Sequence, residues 1–197
     1  MNISAFFNKD GTLGQGERTA LKRIDDKYKQ AYLEYRTHDW DILKKDIKIW
    51  EFIQDDLWSY VDVQDSNVLY LAIVDNKGSF IGYATIDYLD SDLPSIGLEL
   101  KREYRRQEHG KETVDLLLEA CSRVLNKDEV IVRINSDNNA SLALFSQYDI
   151  KEIGREDSEY IQALDFLNKG KLESEKIAAP KEYSENGRYI KRFLLRA

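Results

Sequence analysis

A switch of period near residue 67 constrains this chain more than any other feature. Before it, apolar residues recur at helical spacing. After it, "NVLYLAIVD", "FIGYATIDYL" and "SIGLELK" are short, rich in branched and aromatic residues, and separated by turn signals. "DNKG" at 75–78 joins the first two as a hairpin, and "DSDLP" at 90–94 joins the second to the third. Strands joined by such short turns pair antiparallel.

The third strand runs into "EYRRQEHGKETVDLLLEAC" (103–121), a basic polar turn that opens a helix. Val114, Leu117, Leu118, Cys121, Val124 and Leu125 follow the i, i+3, i+4, i+7 rule there. "EVIVRIN" at 129–135 is a further strand. "DNNASLALFSQYDI" then reads as a loop with Asn or Ser caps and a short helix ending at Asp149. "KEIGR" and "GRYIKRFLLRA" read as closing strands, and a helix fits around Glu159 to Leu167 in the polar span between them. Ahead of the sheet, residues 1–15 read as a loose lead-in. From Glu17 the positions Leu21, Ile24, Tyr28, Ala31 and Tyr35 predict a helix, although its end, "AYLEYR", equally suits a short strand. Thr37 or Asp39 can cap a second helix with its stripe on Leu43, Ile47, Trp50, Ile53 and Leu57. The fold class is α/β (α+β mixed): a sheet with flanking helices and a helical N-terminal extension. The expected organisation is a helical region at 1–62 packed on a core at 63–197, a single domain overall.

Composition narrows the function. With 197 residues the chain can bury a full core. A net charge of −7 speaks against broad nucleic-acid binding and suits a cationic or amine-bearing substrate. The lone Cys121 excludes an internal disulfide framework and a cysteine-based zinc site. The N-terminus has no basic region followed by a long apolar run, and no segment reaches the ~20 apolar residues of a membrane span. A soluble, cytoplasmic protein is expected.

In the basic turn, a helix start offers unpaired N–H groups and the positive end of a dipole. Arg105, Arg106 and Lys111 surround it with positive charge, and Gly110 admits a ligand close to the backbone. A plain solvated turn opening an amphipathic helix fits the same spacing. Read together, "SIGLELKREYRRQEHGKETVDLLLEAC" and "VIVRINSDNNASLALFSQYDIKEIG" resemble the GNAT superfamily of acyl-CoA-dependent N-acyltransferases. The likeness is closest to the branch that acylates protein N-terminal amines, and it covers roughly residues 68–155. It implies a twisted, mostly antiparallel sheet with a splayed central strand pair. Acetyl-CoA is the implied cofactor, with acetyl transfer to a primary amine of a small molecule or peptide by direct attack. It further implies that Arg105, Arg106, Gln107, His109, Gly110 and Lys111 hold the pyrophosphate. Leu98 and Leu100 then pair with the pantetheine, Asn139 contacts the cofactor arm, and Phe145 occupies the place of a proton-donating tyrosine. Three departures from the family pattern occur: Asp149 and Ile150 replace the usual Gly-Phe as a conservative structural change, and two others bear on activity. Glu108 replaces the loop's middle glycine, and Phe145 has no proton to give. They leave open an alternative, a degenerate binding or regulatory module of the same fold.

Amine transfer needs the nucleophile deprotonated. Glu99 lies between two leucines and points to the opposite face from them, where it can act as a base or simply face solvent. Tyr148, and Tyr104 after it, can donate a proton to the thiolate; each also reads as a packing residue with a wet hydroxyl. His109 can touch a phosphate or be an exposed loop residue. His38 reads as part of a capping segment, Cys121 as core, and Trp40, Trp50 and Trp58 as helix packing or a partner surface. No metal-ligand spacing occurs. The N-terminal third can form a substrate lid, a homodimer surface, or both.

Overall fold

The computed structural model describes residues 3–38, 47–61, 67–172, 176–178 and 187–196. Two compact units result, Met1–Val130 and Ile131–Arg196.

The first unit carries five antiparallel strands in sequential order: β1 (Thr12–Gln15), β2 (Thr19–Arg23), β3 (Val68–Asp75), β4 (Phe80–Asp87) and β5 (Ser95–Leu100). The hairpin expected at 75–78 forms there. The Asp75 carboxylate accepts from the Lys77 and Ser79 N–H groups, at 2.9 and 2.8 Å, which closes the turn. Residues 90–94 join β4 to β5, as their sequence predicts.

The N-terminal expectation is corrected. Residues 12–23 form the β1–β2 hairpin, not a loose lead-in and the first turns of a helix. Helix α1 begins only at Asp26 and ends at Arg36, with the Asp25 carboxylate accepting from the Lys27 N–H at its start. Thr37 closes α1 instead of opening the next helix: it is buried, and its hydroxyl donates to the Leu33 carbonyl at 2.6 Å. Helix α2 spans Ile47–Val61. Asp39, Trp40 and Leu43 lie outside the described residues.

Alternation along β3 sends Tyr70, Ala72 and Val74 to one face and Leu69, Leu71 and Ile73 to the other. Tyr28, Tyr32 and Leu33 of α1 join Ala72, Val74 and Phe80 in one buried cluster, against which Leu57 and Trp58 of α2 pack. Helix α3 (His109–Ala120) packs against β1, β2 and β5. It buries Val114, Leu116, Leu117, Leu118 and Ala120, then runs on as a π-helical turn through Leu125. Cys121 is fully buried there, a core residue as its place on the apolar stripe predicts.

In the second unit, β8 (Tyr189–Arg196) lies between β6 (Glu129–Asn135) and β7 (Ile150–Asp157). The β7–β8 pair is antiparallel. Helix α4 (Asn139–Phe145) is capped by the Asn138 carboxamide, which accepts from the Ser141 N–H at 3.1 Å. It ends at Phe145, four residues short of the expected Asp149. Helix α5 (Glu159–Asn168) stands where its sequence places it. Among the described residues no helix is long and apolar enough to cross a membrane.

Candidate functional site

Strand β5 pairs with β4 so that Glu99 stands opposite Tyr83, and Leu98 opposite Ala84. Leu100 is buried, Leu98 half-buried and Glu99 exposed, the alternation expected of a half-solvated strand. Gly82 is the residue that lets the two strands close at this point. A Cβ there would come within 2.2 Å of the Glu99 carbonyl oxygen, so a side chain would force the strands apart.

Two phenols hold the Glu99 carboxylate. Tyr35 at the end of α1 donates to Oε1 at 3.1 Å, and Tyr83 on β4 donates to Oε2 at 3.2 Å. The Arg36 guanidinium donates to the Tyr83 hydroxyl at 2.5 Å and lies 5.1 Å from the centre of that ring. Burial pushes the Tyr35 hydroxyl up to about 12, with the Glu99 charge adding to it. Burial likewise raises Tyr83 well above the ordinary phenol range, against the pull of Arg36. Burial works against the Arg36 charge, but the Tyr83 and Tyr32 phenols and Glu99 outweigh it and hold its pKa above the ordinary value. Near neutral pH both tyrosines keep their protons, and Arg36 keeps its charge. A carboxylate on a solvent-facing strand is thereby fixed in direction by two neutral donors. Tyr35, Tyr83 and Arg36 were not singled out from the sequence for this role. The only trace was "AYLEYR", whose aromatic residues left helix and strand undecided.

Beyond β5 the chain makes a short 3-10 turn at Arg102–Tyr104 and enters the basic loop. Arg105 folds back: its Nε donates to the Leu100 carbonyl at 2.8 Å, and its charge works against the rise in the Tyr35 pKa. Arg106 and Glu108 both take the left-handed conformation, at φ 59° and 65°. That conformation costs a non-glycine residue about 1–2 kcal/mol, so a glycine at 108 would fit the backbone as it stands. The Glu108 side chain is exposed and makes no capping bond to α3. Gln107 donates to the Glu103 carbonyl, Gly110 is the second residue of α3, and Lys111 pairs with Asp115 at 2.9 Å.

His109 is the clearest surprise of the loop. It is buried, not exposed, and it shares a 3.0 Å hydrogen bond with the buried Thr19 hydroxyl. It also meets Tyr104 edge-on. The opening of α3 is pinned further by Glu112, whose carboxylate accepts from the Glu17 and Arg18 backbone N–H groups at the tip of the β1–β2 hairpin. Gly16 makes that approach possible, since a Cβ there would stand 2.3 Å from the Glu112 Oε1. His38 stacks on Tyr35 and meets its carbonyl at 2.8 Å, so it follows α1 instead of capping α2. Among the described residues no cluster of side chains is arranged to hold a metal ion.

In the second unit Asn139 is exposed at the start of α4. Phe145 is buried at 4 % exposure, a packing residue, with its ring 6.4 Å from that of the half-buried Tyr148.

Comparison with known proteins follows the same lines. Residues 18–151, more than half of the chain, match the model of the acetyltransferase (GNAT) domain. No protein of curated function matches by sequence. Among solved structures, the microcin self-immunity acetyltransferase in complex with acetyl-CoA and AMP superposes with a TM-score of 0.64 at 13% identity, over 98% of this chain and 99% of that one. Spermidine N-acetyltransferase of Vibrio cholerae, in complex with CoA and spermine, gives 0.60 at 11% identity, over 90% and 95%. A GNAT-family acetyltransferase of Bacillus anthracis gives 0.61 at 12%, over 92% and 96%. At these identities the likeness is one of fold, and it bears out the mixed α/β class read from the sequence. Together with the domain match it shows that the chain belongs to the GNAT acetyltransferase family.

Proposed function

We propose that the protein is an N-acetyltransferase that moves an acetyl group from acetyl-CoA to a primary amine of a small molecule or peptide. The observation that carries the reading is the Glu99 carboxylate, held on both oxygens by Tyr35 and Tyr83. A carboxylate locked by neutral donors on a solvent-facing strand is suited to take a proton from an ammonium group before attack. Fixed direction matters as much as basicity, because proton transfer needs hydrogen-bond reach.

The loop fits a pyrophosphate. Left-handed residues at 106 and 108 turn the backbone into the start of α3, where N–H groups have no acceptor within the helix and the dipole favours an anion. Arg106, Gln107, Gly110 and Lys111 are the groups that would line it, with Leu98 and Leu100 offering the strand beside the pantetheine. Glu108, exposed at the loop's middle position, is an unfavourable charge for that ligand. His109 contributes from beneath, by holding the helix start on Thr19. Arg105 supports the end of β5 at Leu100. Asn139 is proposed for the cofactor arm and Tyr148 for the departing thiolate, as the proton donor that the buried Phe145 cannot be. Bound acetyl-CoA would supply the acyl thioester; the chain supplies the base, the orientation and the anion cradle.

Polyamines and peptide N-termini both carry the required amine. The Vibrio neighbour was solved with spermine, which makes spermidine a natural first acceptor to try. A cytoplasmic setting is part of the proposal, as is a second copy of the chain as a partner. The test is acetyl-CoA titration followed by thermal unfolding. At a hundredfold excess over the dissociation constant, stability should rise by about 2.7 kcal/mol. No shift at millimolar acetyl-CoA would return the chain to the binding-module alternative. If binding is seen, thiol release is followed with spermidine, free amino acids and unblocked peptides.

A further inference from the structure

We infer that Arg36 is a positioning residue for Glu99, acting through Tyr83. The inference rests on the proposed role of Glu99 as base and extends it to a residue that does not touch the carboxylate.

Donor and acceptor counting carries it. Arginine has five N–H donors and no acceptor, so in the 2.5 Å contact the Tyr83 oxygen must accept. A phenol has one proton, and with its oxygen turned to Arg36 that proton is left for the next acceptor in line. Glu99 Oε2 stands there at 3.2 Å. The orientation Arg36 to Tyr83 to Glu99 is thus forced by chemistry, not chosen among rotamers. Tyr83 cannot escape by ionising, because burial raises its pKa far above neutrality.

Placement makes the arrangement rigid on one side. Arg36 is the last residue of α1, next to Tyr35, whose hydroxyl holds the other carboxylate oxygen. Two consecutive residues of one helix end therefore fix both oxygens of Glu99, one directly and one through a neighbour. Tyr32, one turn earlier, packs edge-on against the Tyr83 ring at 5.6 Å and limits its swing. Removing Arg36 leaves Tyr83 in place but frees its proton to rotate, and Glu99 loses half of its orientation. The family pattern gives no warning of this, since the contact joins residues 47 positions apart.

The experiment is a double-mutant cycle with Arg36→Met and Tyr83→Phe, and two readouts. With spermidine or whichever panel amine is acetylated fastest, each single variant should lose about tenfold in kcat/KM for the amine. The KM for acetyl-CoA should stay unchanged, and the double variant should lose no more than either single one. Arg36→Lys should recover part of the loss. The second readout needs no acceptor: NMR of protein carrying ¹³C-labelled tyrosine, with the Tyr83 ring carbon assigned by Tyr83→Phe. Glu99→Gln should move that resonance in the wild-type background and not in Arg36→Met. Losses that multiply in the double variant, or a Tyr83 signal that responds to Glu99→Gln equally in both backgrounds, would overturn the inference. Glu99→Gln with full activity would instead sink the proposed base while leaving the Tyr83 signal as the judge of the contact.

Discussion

His109 and Thr19 share a buried hydrogen bond of 3.0 Å that ties the start of α3 to strand β2. Three residues on, the Glu112 carboxylate holds the backbone of Glu17 and Arg18 at the tip of the same hairpin. The proposed anion loop therefore rests on the β1–β2 hairpin. Thr19→Val keeps the shape but leaves one histidine nitrogen buried without its partner. Such a loss costs about 1–3 kcal/mol, and denaturant unfolding should show it as a lower midpoint at an unchanged slope. A fall below about 0.5 kcal/mol, the usual range of surface changes, would mean the histidine finds another partner.

Gly16→Ala tests the neighbouring contact. The added methyl would fall 2.3 Å from a Glu112 oxygen, so either the carboxylate or the hairpin must move. Overpacking of this kind costs about 1–3 kcal/mol. Glu112→Ala in the same background should remove most of the penalty, since the clash is with that side chain. A Gly16→Ala cost that stays the same in Glu112→Ala would place the strain elsewhere.

Glu108 carries two separable penalties, a left-handed backbone and a negative charge beside the proposed phosphate site. Glu108→Gly removes both and should stabilise the protein by about 0.5–1 kcal/mol, the left-handed strain less the extra entropy of glycine. Glu108→Gln removes only the charge. If the exposed carboxylate faces the phosphates, both variants should tighten acetyl-CoA, measured by calorimetry. Equal affinity in all three would mean that the side chain reaches only solvent.

Legibility followed the periodicities. The strands at 68–100 announce themselves by composition and by turns such as "DNKG", which need no tertiary information. The β1–β2 hairpin did not. Thr19, Ala20 and Leu21 are buried in succession, so β2 carries no inside–outside alternation to betray it. Leu21 then happens to stand at helical spacing from Ile24 and Tyr28, so the pattern predicts a helix from Glu17, nine residues before α1 begins at Asp26. Glu99 could be picked out because a charged residue between two leucines on a strand is conspicuous. Its partners could not, because Tyr35 lies 64 positions away and Tyr83 lies 16 away. The burial of His109 is hidden for a similar reason. A polar loop predicts exposure, and only the fold brings Thr19 to meet it.

Four groups make stability depend on alkali: Tyr83 rises furthest, and the other three carry the fall up to about pH 12. Burial raises the Tyr32 and Tyr35 hydroxyls to about 12 each, from an ordinary 10, and raises the Cys121 thiol to about 12, from 9. In each case the folded state holds the proton to higher pH than the unfolded chain does. Between the two values the unfolded state binds fewer protons, so stability falls as pH rises. The contribution of these three is complete below about pH 9, declines from there for Cys121 and from about pH 10 for the tyrosines, and is gone above about pH 12. Thermal unfolding from pH 8 to 11 should therefore show an accelerating fall in Tm. Tyr35→Phe should flatten it without removing it, since Tyr32, Tyr83 and Cys121 remain. The same burial makes Cys121 inert: iodoacetamide at pH 8 should leave it unlabelled in the folded protein and label it fully in denaturant. Rapid labelling of the native protein would show that the α3 stripe opens far more readily than its packing implies.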